Sequence, residues 1–495
     1  MPIFTFDEIC VATGGRLFNY SGDSEGLSVR QTTSVSTDTR DIRAGALFVA
    51  LKGERFDGHR FCQIAADKGA ALLLVSDCSN LPSGLPYLLV SDTLLALGQI
   101  AKYYRIRLGC KVIGVTGSVG KTSTRRMIES VFGKSMKTHA TKDNNNNEIG
   151  LPMTILSAPE DVELIILEMG MRLKGEISYL THIAMPDVAV ISNIGVAHIE
   201  RLGSKEAILE AKLEICEGLI NEKLLVINGE DSLLSQRLLK SGEKTWGELG
   251  VAFSAVNLLE DNPPIVSAAN QVVKLMSARY FESGSEFLVR WFSENEEQEI
   301  SFRLNVAGQH HVNNALLAIL CALHFDVSVQ AICEGLEEFS VLDGRGKLLK
   351  LGRYLIYDDA YNAGPESMAA SFDSLKLLAP NSRRVAAVGG MLELGDYAKQ
   401  YHFEAGIAAA KSGLSLIAVC GQHKDAFIEG VRTISTDIQV IMCEDKDEMV
   451  DVLAQKLQPE DALLIKASHA FGFHTLASEL LNKINENQIK SEANK

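Results

Sequence analysis

The first chemistry in the chain is carried by Thr116-Gly117-Ser118-Val119-Gly120-Lys121-Thr122. A glycine loop opening a helix turns backbone N–H groups toward an anion, and the helix dipole favours negative charge there. Lys121 adds a cation for outer phosphates, and the Thr122 hydroxyl suits Mg²⁺. The general pattern G-x-x-x-x-G-K-[ST] needs glycine where this chain has Val115, while the shorter T-G-x-x-G-K-T is met in full. Thr116, Gly117, Ser118, Gly120, Lys121, Thr122 and Ser123 are the expected ATP-phosphate residues. The competing reading is a chance Gly-Lys turn. The flanks favour binding: Lys111-Val112-Ile113-Gly114-Val115 predicts a buried strand, and a helix is predicted over residues 122–132.

Glu168 directly follows the apolar run Leu164-Ile165-Ile166-Leu167, which predicts a carboxylate at the C-terminal end of a strand, where open α/β sheets bind ligands. His198 follows the predicted strand Val188-Ala189-Val190-Ile191 at the same sheet edge. Oxygen donors suit Mg²⁺, and an imidazole can complete a second ion's site. Alone, each residue is more often a cap or surface group than a ligand; their shared placement brings metal binding level with that reading. Lys212 falls in a helix predicted over residues 204–220, with Ser204 as N-cap. Glu206, Glu210, Glu214 and Glu217 make its expected solvated face, whereas Ile208, Leu209, Ile215 and Cys216 surround Lys212. A lysine on an apolar face must snorkel, pair or lose its charge.

The elements that must position these groups repeat in order. A further strand is predicted at Leu224-Leu225-Val226-Ile227. The last third continues with strands at Tyr354-Leu355-Ile356-Tyr357, Val385-Ala386-Ala387-Val388, residues 414–420 and Ala462-Leu463-Leu464-Ile465. Strands alternating with helices imply a parallel sheet covered on both faces. Asp343-Gly344-Arg345-Gly346-Lys347 is the expected linker between these blocks. The expected domains are 1–104, 105–341 and 342–495, and the polar tail beyond Asn482 is expected to fray.

Composition narrows the function. A net charge of −15 argues against a broad nucleic-acid surface. Nine scattered cysteines without a C-x-x-C pair read as small buried hydrophobes in a reducing compartment. No signal-like N-terminus and no run of about 18 apolar residues is found, so a soluble, cytoplasmic protein is expected.

Longer motifs then point to a family. Asp38-Thr39-Arg40, the stretch from Gly45 through Lys52 and Gly53 to Glu54, and Asp57-Gly58-His59 resemble the uridine-nucleotide region of the Mur ligases, cytoplasmic ATP-dependent enzymes that extend the peptide of the peptidoglycan precursor. The phosphate loop, Asn144-Asn145-Asn146-Asn147-Glu148-Ile149-Gly150-Leu151-Pro152, Glu168-Met169-Gly170, Asn193-Ile194-Gly195-Val196-Ala197-His198 and Ala211-Lys212 resemble the family's central domain. Gly308-Gln309-His310-His311-Val312-Asn313-Asn314 is similar to its adenine-contacting helix start. The stretch Asp358-Asp359-Ala360-Tyr361-Asn362-Ala363-Gly364-Pro365 favours the branch that adds D-alanyl-D-alanine to UDP-N-acetylmuramoyl-tripeptide.

The resemblance implies three α/β domains: a small mixed N-terminal one for the uridine nucleotide, a central mostly parallel P-loop-type sheet for ATP, and a C-terminal Rossmann-like one that closes over ATP and binds the incoming amine. It implies two Mg²⁺ ions, held by Thr122, Glu168, His198 and a carbamylated Lys212. Asn314, Arg345 and Asp359 would reach the nucleotide; Asp38, Thr39, Arg40, Lys52, Asn144, Asn147, Tyr361 and Asn362 would reach the other substrates. A monomer is expected. The chain departs from the family at Asp143 (usually Gly), Asn145 (often aromatic), His311 and Gly364 (Asn), Gly390 (Asp) and His469 (Arg). The rivals are a sister ligase adding lysine or a diamino acid, folylpolyglutamate synthase, and a non-catalytic nucleotide-binding scaffold. The sister branch often carries Asp-Asn-Pro-Arg in its last domain; the near match here, Asp261-Asn262-Pro263, is followed by Pro264 and lies in the middle one.

Overall fold

The computed structural model describes residues 3–19, 31–53, 56–240, 252–257, 269–292 and 297–493. Glu54 and Asp261-Asn262-Pro263 lie outside the described residues.

The phosphate-loop strand, Lys111–Thr116, sits inside a nine-stranded sheet. It lies between Leu164–Glu168 and Val188–Ile191 and runs parallel to both. Glu168 stands beside Val115, and Ile191 beside Thr116, so the C-terminal ends of the three strands are level. The strands alternate in destination as a sheet buried on both faces requires. Val112, Ile165, Ala189 and Leu225 enter the core on one face. Ile113, Val115, Ile166, Val190 and Val226 enter the other, against Met127 and Ile128 of the helix Lys121–Phe132 and Leu316 and Ile319 of the helix Gln309–His324. Each such fully buried aliphatic side chain contributes about 1.5–3 kcal/mol, which fixes the strand ends that carry the site.

The parallel order continues from Thr138–Ala140 at one edge through Leu224–Asn228 and Ala252–Asn257 to Val272–Phe281. It then becomes an antiparallel ribbon through Gly284–Phe292 and Glu297–Leu304. Gly284 has φ of +149°, and a Cβ there would lie 2.0 Å from the Leu304 carbonyl oxygen, so only glycine fits this corner. The ribbon has no counterpart among the expected elements.

After Lys347–Leu351, antiparallel to Tyr354–Asp358, the C-terminal sheet is parallel in the order Tyr354–Asp358, Ala462–Lys466, Arg384–Val388, Leu416–Val419, Gln439–Met442. The N-terminal unit is a five-stranded sheet of Arg16–Phe18, Tyr87–Leu89, Leu72–Val75, Ala46–Val49 and Ser34–Ser36, with one antiparallel pair at its edge. The chain is thus α/β throughout, as its alternating pattern implies.

One local expectation changes. The helix capped by Ser204 ends at Leu213 and tightens into a 3₁₀ turn, Glu214–Gly218. That rotates Glu214 off the solvated face: it is buried and accepts the N–H groups of Gly175 and Ser178 at the start of the helix Glu176–Ala184, where an anion complements the dipole. The polar tail beyond Asn482 is helical as far as Ala493, in the helix Leu476–Ala493, with Ile484 buried and Lys483 paired to Asp451.

Candidate functional site

The phosphate loop is held from behind. Asn193 Oδ1 accepts the N–H groups of Ser118 (3.1 Å) and Val119 (2.9 Å). Ser192 Oγ donates to the Val119 carbonyl at 2.6 Å, and Thr116 Oγ1 to that of Met169 at 2.8 Å. Gly117 has φ of +148° and a Cβ there would stand 1.9 Å from Ser192 Oγ; Gly120 has φ of +85° and faces Asn314 Oδ1. Gly120 caps the helix Lys121–Phe132 without any side chain. The first-turn N–H groups, including those of Thr122 and Ser123, are therefore left for an anion. Lys121 Nζ folds back on the carbonyls of Gly117 (2.8 Å) and Ser118 (3.2 Å), and burial pushes its ammonium down.

Beside the loop, Thr122 Oγ1 donates to Glu168 Oε2 at 2.9 Å, and Asn146 Nδ2 donates to Glu168 Oε1 at 2.9 Å. Lys212 is only 2% exposed and has no hydrogen-bond or ion-pair partner among the described residues. The snorkelling alternative therefore fails. Burial, and then the charge of Lys121, push its ammonium well below 10.5. His198, in the left-handed region at φ 66°, brings Nδ1 to 2.7 Å from Glu393 Oε2, off the line of a hydrogen bond. Burial pushes this imidazole down, with Glu393 opposing. Among the described residues no group of three or more His, Cys, Asp and Glu side chains gathers around one point.

These side chains line a cleft of about 1270 Å³ that also takes Leu94 and Leu95 from the N-terminal unit and a long stretch of the C-terminal unit. Arg345 stacks over Tyr361, 3.7 Å from the ring centre, and Tyr361 donates to Asn144 Oδ1 of the central unit at 2.5 Å. Asp359 is held by Lys466 Nζ at 2.6 Å and Ser371 Oγ at 2.5 Å, and Lys466 also donates to the Asn362 carbonyl at 2.8 Å. Glu366 Oε1 accepts the Val196 N–H at 3.0 Å, and Tyr397 donates to the Gly203 carbonyl at 3.1 Å. Asn314 is buried in the same cleft.

The expected residues are not all gathered. Asn147 lines the cleft, but its Oδ1 caps the N–H groups of Ile149 (3.2 Å) and Gly150 (2.8 Å). Asp38, Thr39, Arg40 and Lys52 are not in the cleft lining. Arg40 pairs with Asp38 at 2.5 Å and holds its carboxyl down at about 2; Lys68 Nζ reaches the Thr39 carbonyl at 2.7 Å; the backbone of Lys52 forms a β-bridge with that of Asp57. All four belong to the N-terminal unit, outside the cleft.

Asn146, Asn193, Glu366, Glu393 and Lys466 do site work that was not expected of them. Lys466 had a signal: it ends the apolar strand Ala462–Lys466 as Glu168 ends Leu164–Glu168. Glu366 and Glu393 had none, because their partners come from another unit. Two departures have local causes or consequences. A Cβ at Gly390 would stand 2.8 Å from the Phe471 ring, leaving no room for a larger side chain. His311 is buried with both ring nitrogens unpartnered, and the Tyr357 hydroxyl beside it is unpartnered too.

Comparison with known proteins bears on this geometry. Residues 31–105 match the Mur ligase family catalytic domain, 115–322 the Mur ligase middle domain, and 344–469 the Mur ligase glutamate ligase domain. A UDP-N-acetylmuramoyl-tripeptide–D-alanyl-D-alanine ligase of Bacillus subtilis is 36% identical over 449 residues, 90% of this chain and 93% of that protein. A crystal structure of MurF from Acinetobacter baumannii superposes with a TM-score of 0.84 at 28% identity, covering 97% of this chain and 99% of the other. MurF of Thermotoga maritima in complex with ADP gives a TM-score of 0.76 at 26% identity over 92% and 99%. The matched stretches follow one another along the units whose strand ends and loops enclose the cleft, and the chain belongs to the Mur ligase family.

Proposed function

We propose that this cleft joins D-alanyl-D-alanine to the terminal carboxylate of UDP-N-acetylmuramoyl-tripeptide, driven by ATP, in peptidoglycan precursor synthesis. The observation that carries this is the convergence of Lys121, Thr122, Glu168, His198 and Lys212 on one face of a cleft whose other face is the 359–367 loop. The likeness to the Bacillus subtilis D-alanyl-D-alanine ligase favours this amine over lysine or a diamino acid.

The N-terminal domain, residues 1–104, takes the uridine nucleotide on the surface of Asp38, Thr39, Arg40 and Lys52. The central domain, 105–341, takes ATP, with Thr116, Gly117, Ser118, Gly120, Lys121, Thr122 and Ser123 around the phosphates and Asn314 at the base. The C-terminal domain, 342–495, brings Arg345 and Asp359 to the nucleotide, and Tyr361 and Asn362 with Asn144 and Asn147 to the peptide substrates. The donor set fits Mg²⁺. Thr122 and Glu168 place two hard oxygens 2.9 Å apart, and Lys212 is a buried amine with no anion beside it, open to carbamylation. Thr122 and Glu168 would hold one ion, and His198 and carbamylated Lys212 a second. When bound, the ions supply charge neutralisation on the phosphoryl oxygens.

The substrate carboxylate oxygen bonds the γ-phosphorus of ATP, the bond to ADP breaks, and an acyl phosphate forms. Lys121 and Arg345 spread the charge of the transferring group. The neutral amine of D-alanyl-D-alanine then bonds the acyl carbon; phosphate leaves with the carbon–oxygen electron pair, and the amine's surplus proton passes to the departing phosphate or a nearby base. The C-terminal domain, seated through Glu366 and Tyr361, excludes water that would hydrolyse the acyl phosphate. The enzyme is expected to act as a monomer. No described helix is long and apolar enough to cross a membrane, and we place the reaction in the cytoplasm, where ATP and nucleotide-linked precursors are held. Phosphate release with the tripeptide nucleotide, measured against a panel of amines, tests this. Release driven by D-alanyl-D-alanine is expected; equal release with lysine or a diamino acid, or none with any amine, overturns it.

A further inference from the structure

Glu168 is buried at the end of its strand, and each of its carboxylate oxygens has one donor. Thr122 of the phosphate loop serves Oε2, and Asn146 serves Oε1. A carboxylate only accepts, so the Asn146 amide must turn its NH₂ toward Glu168. Its backbone is pinned as well: the Asn146 N–H reaches the Asn144 carbonyl at 2.7 Å, and the Gly170 N–H reaches the Asn146 carbonyl at 2.9 Å. Gly170 follows Glu168 by two residues, and a Cβ there would meet the Asn146 amide at 2.9–3.1 Å. The bare glycine thus makes room for the amide beside the carboxylate it serves.

We propose that Asn146 is a positioning residue for the metal-binding carboxylate. By holding Oε1, it keeps Oε2 on the side of the Thr122 hydroxyl, where the two oxygens can share one divalent cation. The terminal carboxylate torsion is broad, so without the amide the Glu168 carboxylate is free to rotate, Oε2 leaves the Thr122 hydroxyl, and the shared donor pair is lost. This rests on the reading of Glu168 as a metal ligand.

The test uses the full-length chain with ADP and Mn²⁺ as the probe cation, bound Mn²⁺ being read directly by electron paramagnetic resonance. N146A is expected to weaken Mn²⁺ binding by about 10-fold or more, as lost outer partners of metal ligands do, with metal-free ADP binding unchanged. E168Q is expected to abolish Mn²⁺ binding, and N146A placed on E168Q to change nothing further. N146S, too short to reach Oε1, gives the same reading where N146A fails to fold. Mn²⁺ affinity of N146A within about twofold of the parent overturns the proposal. So does an equal loss of metal-free ADP binding, which would make Asn146 a nucleotide contact. E168Q retaining Mn²⁺ affinity sinks the metal reading itself, a result distinct from either.

Discussion

On the central-sheet wall of the cleft, Lys121 donates two side-chain hydrogen bonds and Glu168 accepts two, all within their own unit. On the opposite wall, Tyr361, Glu366, Glu393 and Tyr397 find Asn144, Val196, His198 and Gly203 across a gap between units. The first wall is fixed when its sheet folds. The second exists only when the C-terminal unit is seated. Chemistry that depends on sub-ångström placement belongs on the first wall, and capture and release of substrates belong on the second.

The largest expected effect tests that division. Lys121→Met should lower kcat by about 10²–10³, the scale of a lost charge-stabilising group, in phosphate release at saturating substrates. A smaller loss than any cross-cleft substitution produces would erase the distinction between the walls.

Lys212→Met separates stability from activity on the first wall. In the metal-free, uncarbamylated protein it replaces a buried, unpartnered amine by an apolar chain of similar length, so the thermal midpoint measured there should rise with about 1–2 kcal/mol of added stability. Activity should fall by at least about 100-fold, as expected of a residue completing a metal site. A variant that keeps its activity would remove Lys212 from the chemistry.

On the second wall, Glu366→Gln keeps an acceptor for the Val196 N–H but removes the charge. The loss of charge assistance is about 1 kcal/mol. It should appear as a roughly fivefold higher KM with kcat little changed, since each 1.4 kcal/mol is tenfold. A kcat loss as large as that of Lys121→Met would place Glu366 in the chemistry instead.

The same contrast explains what the sequence disclosed. Glu168 and the loop residues are legible because an apolar run of four or five residues marks a strand whose C-terminal end follows at once, and His198 because the segment after the strand Val188–Ile191 starts from that same sheet edge. Lys466 obeys that rule equally. The turn of Glu214 into a buried cap was hidden, because helical spacing predicts one face only while the helix stays α. Asn146 was hidden among four consecutive asparagines, whose order says nothing about which amide meets a carboxylate. Glu366 and Glu393 depend on how two units sit together, which no local period encodes.

His311 is expected to affect stability alone, and the direction follows from burial. It lies on the central helix Gln309–His324 close to the C-terminal unit: the place of a Cβ on Gly346 is 3.0 Å from His311 Nε2 and 2.9 Å from the Tyr357 hydroxyl. Burial, and then His310, hold its imidazole well below 6.5, so the folded chain keeps it neutral while the unfolded chain takes up a proton near that pH. Stability from this group is complete above the unfolded value and is lost as pH falls below it. Denaturant unfolding should therefore show a decline from pH 7 to pH 5 to which His311 contributes no more than about 2 kcal/mol. His311→Asn, the side chain usual in the family, carries no titrating group and should flatten that decline. An unchanged slope in the variant would mean that the acid sensitivity resides in other imidazoles that burial also holds down, among them His139, His310 and His402.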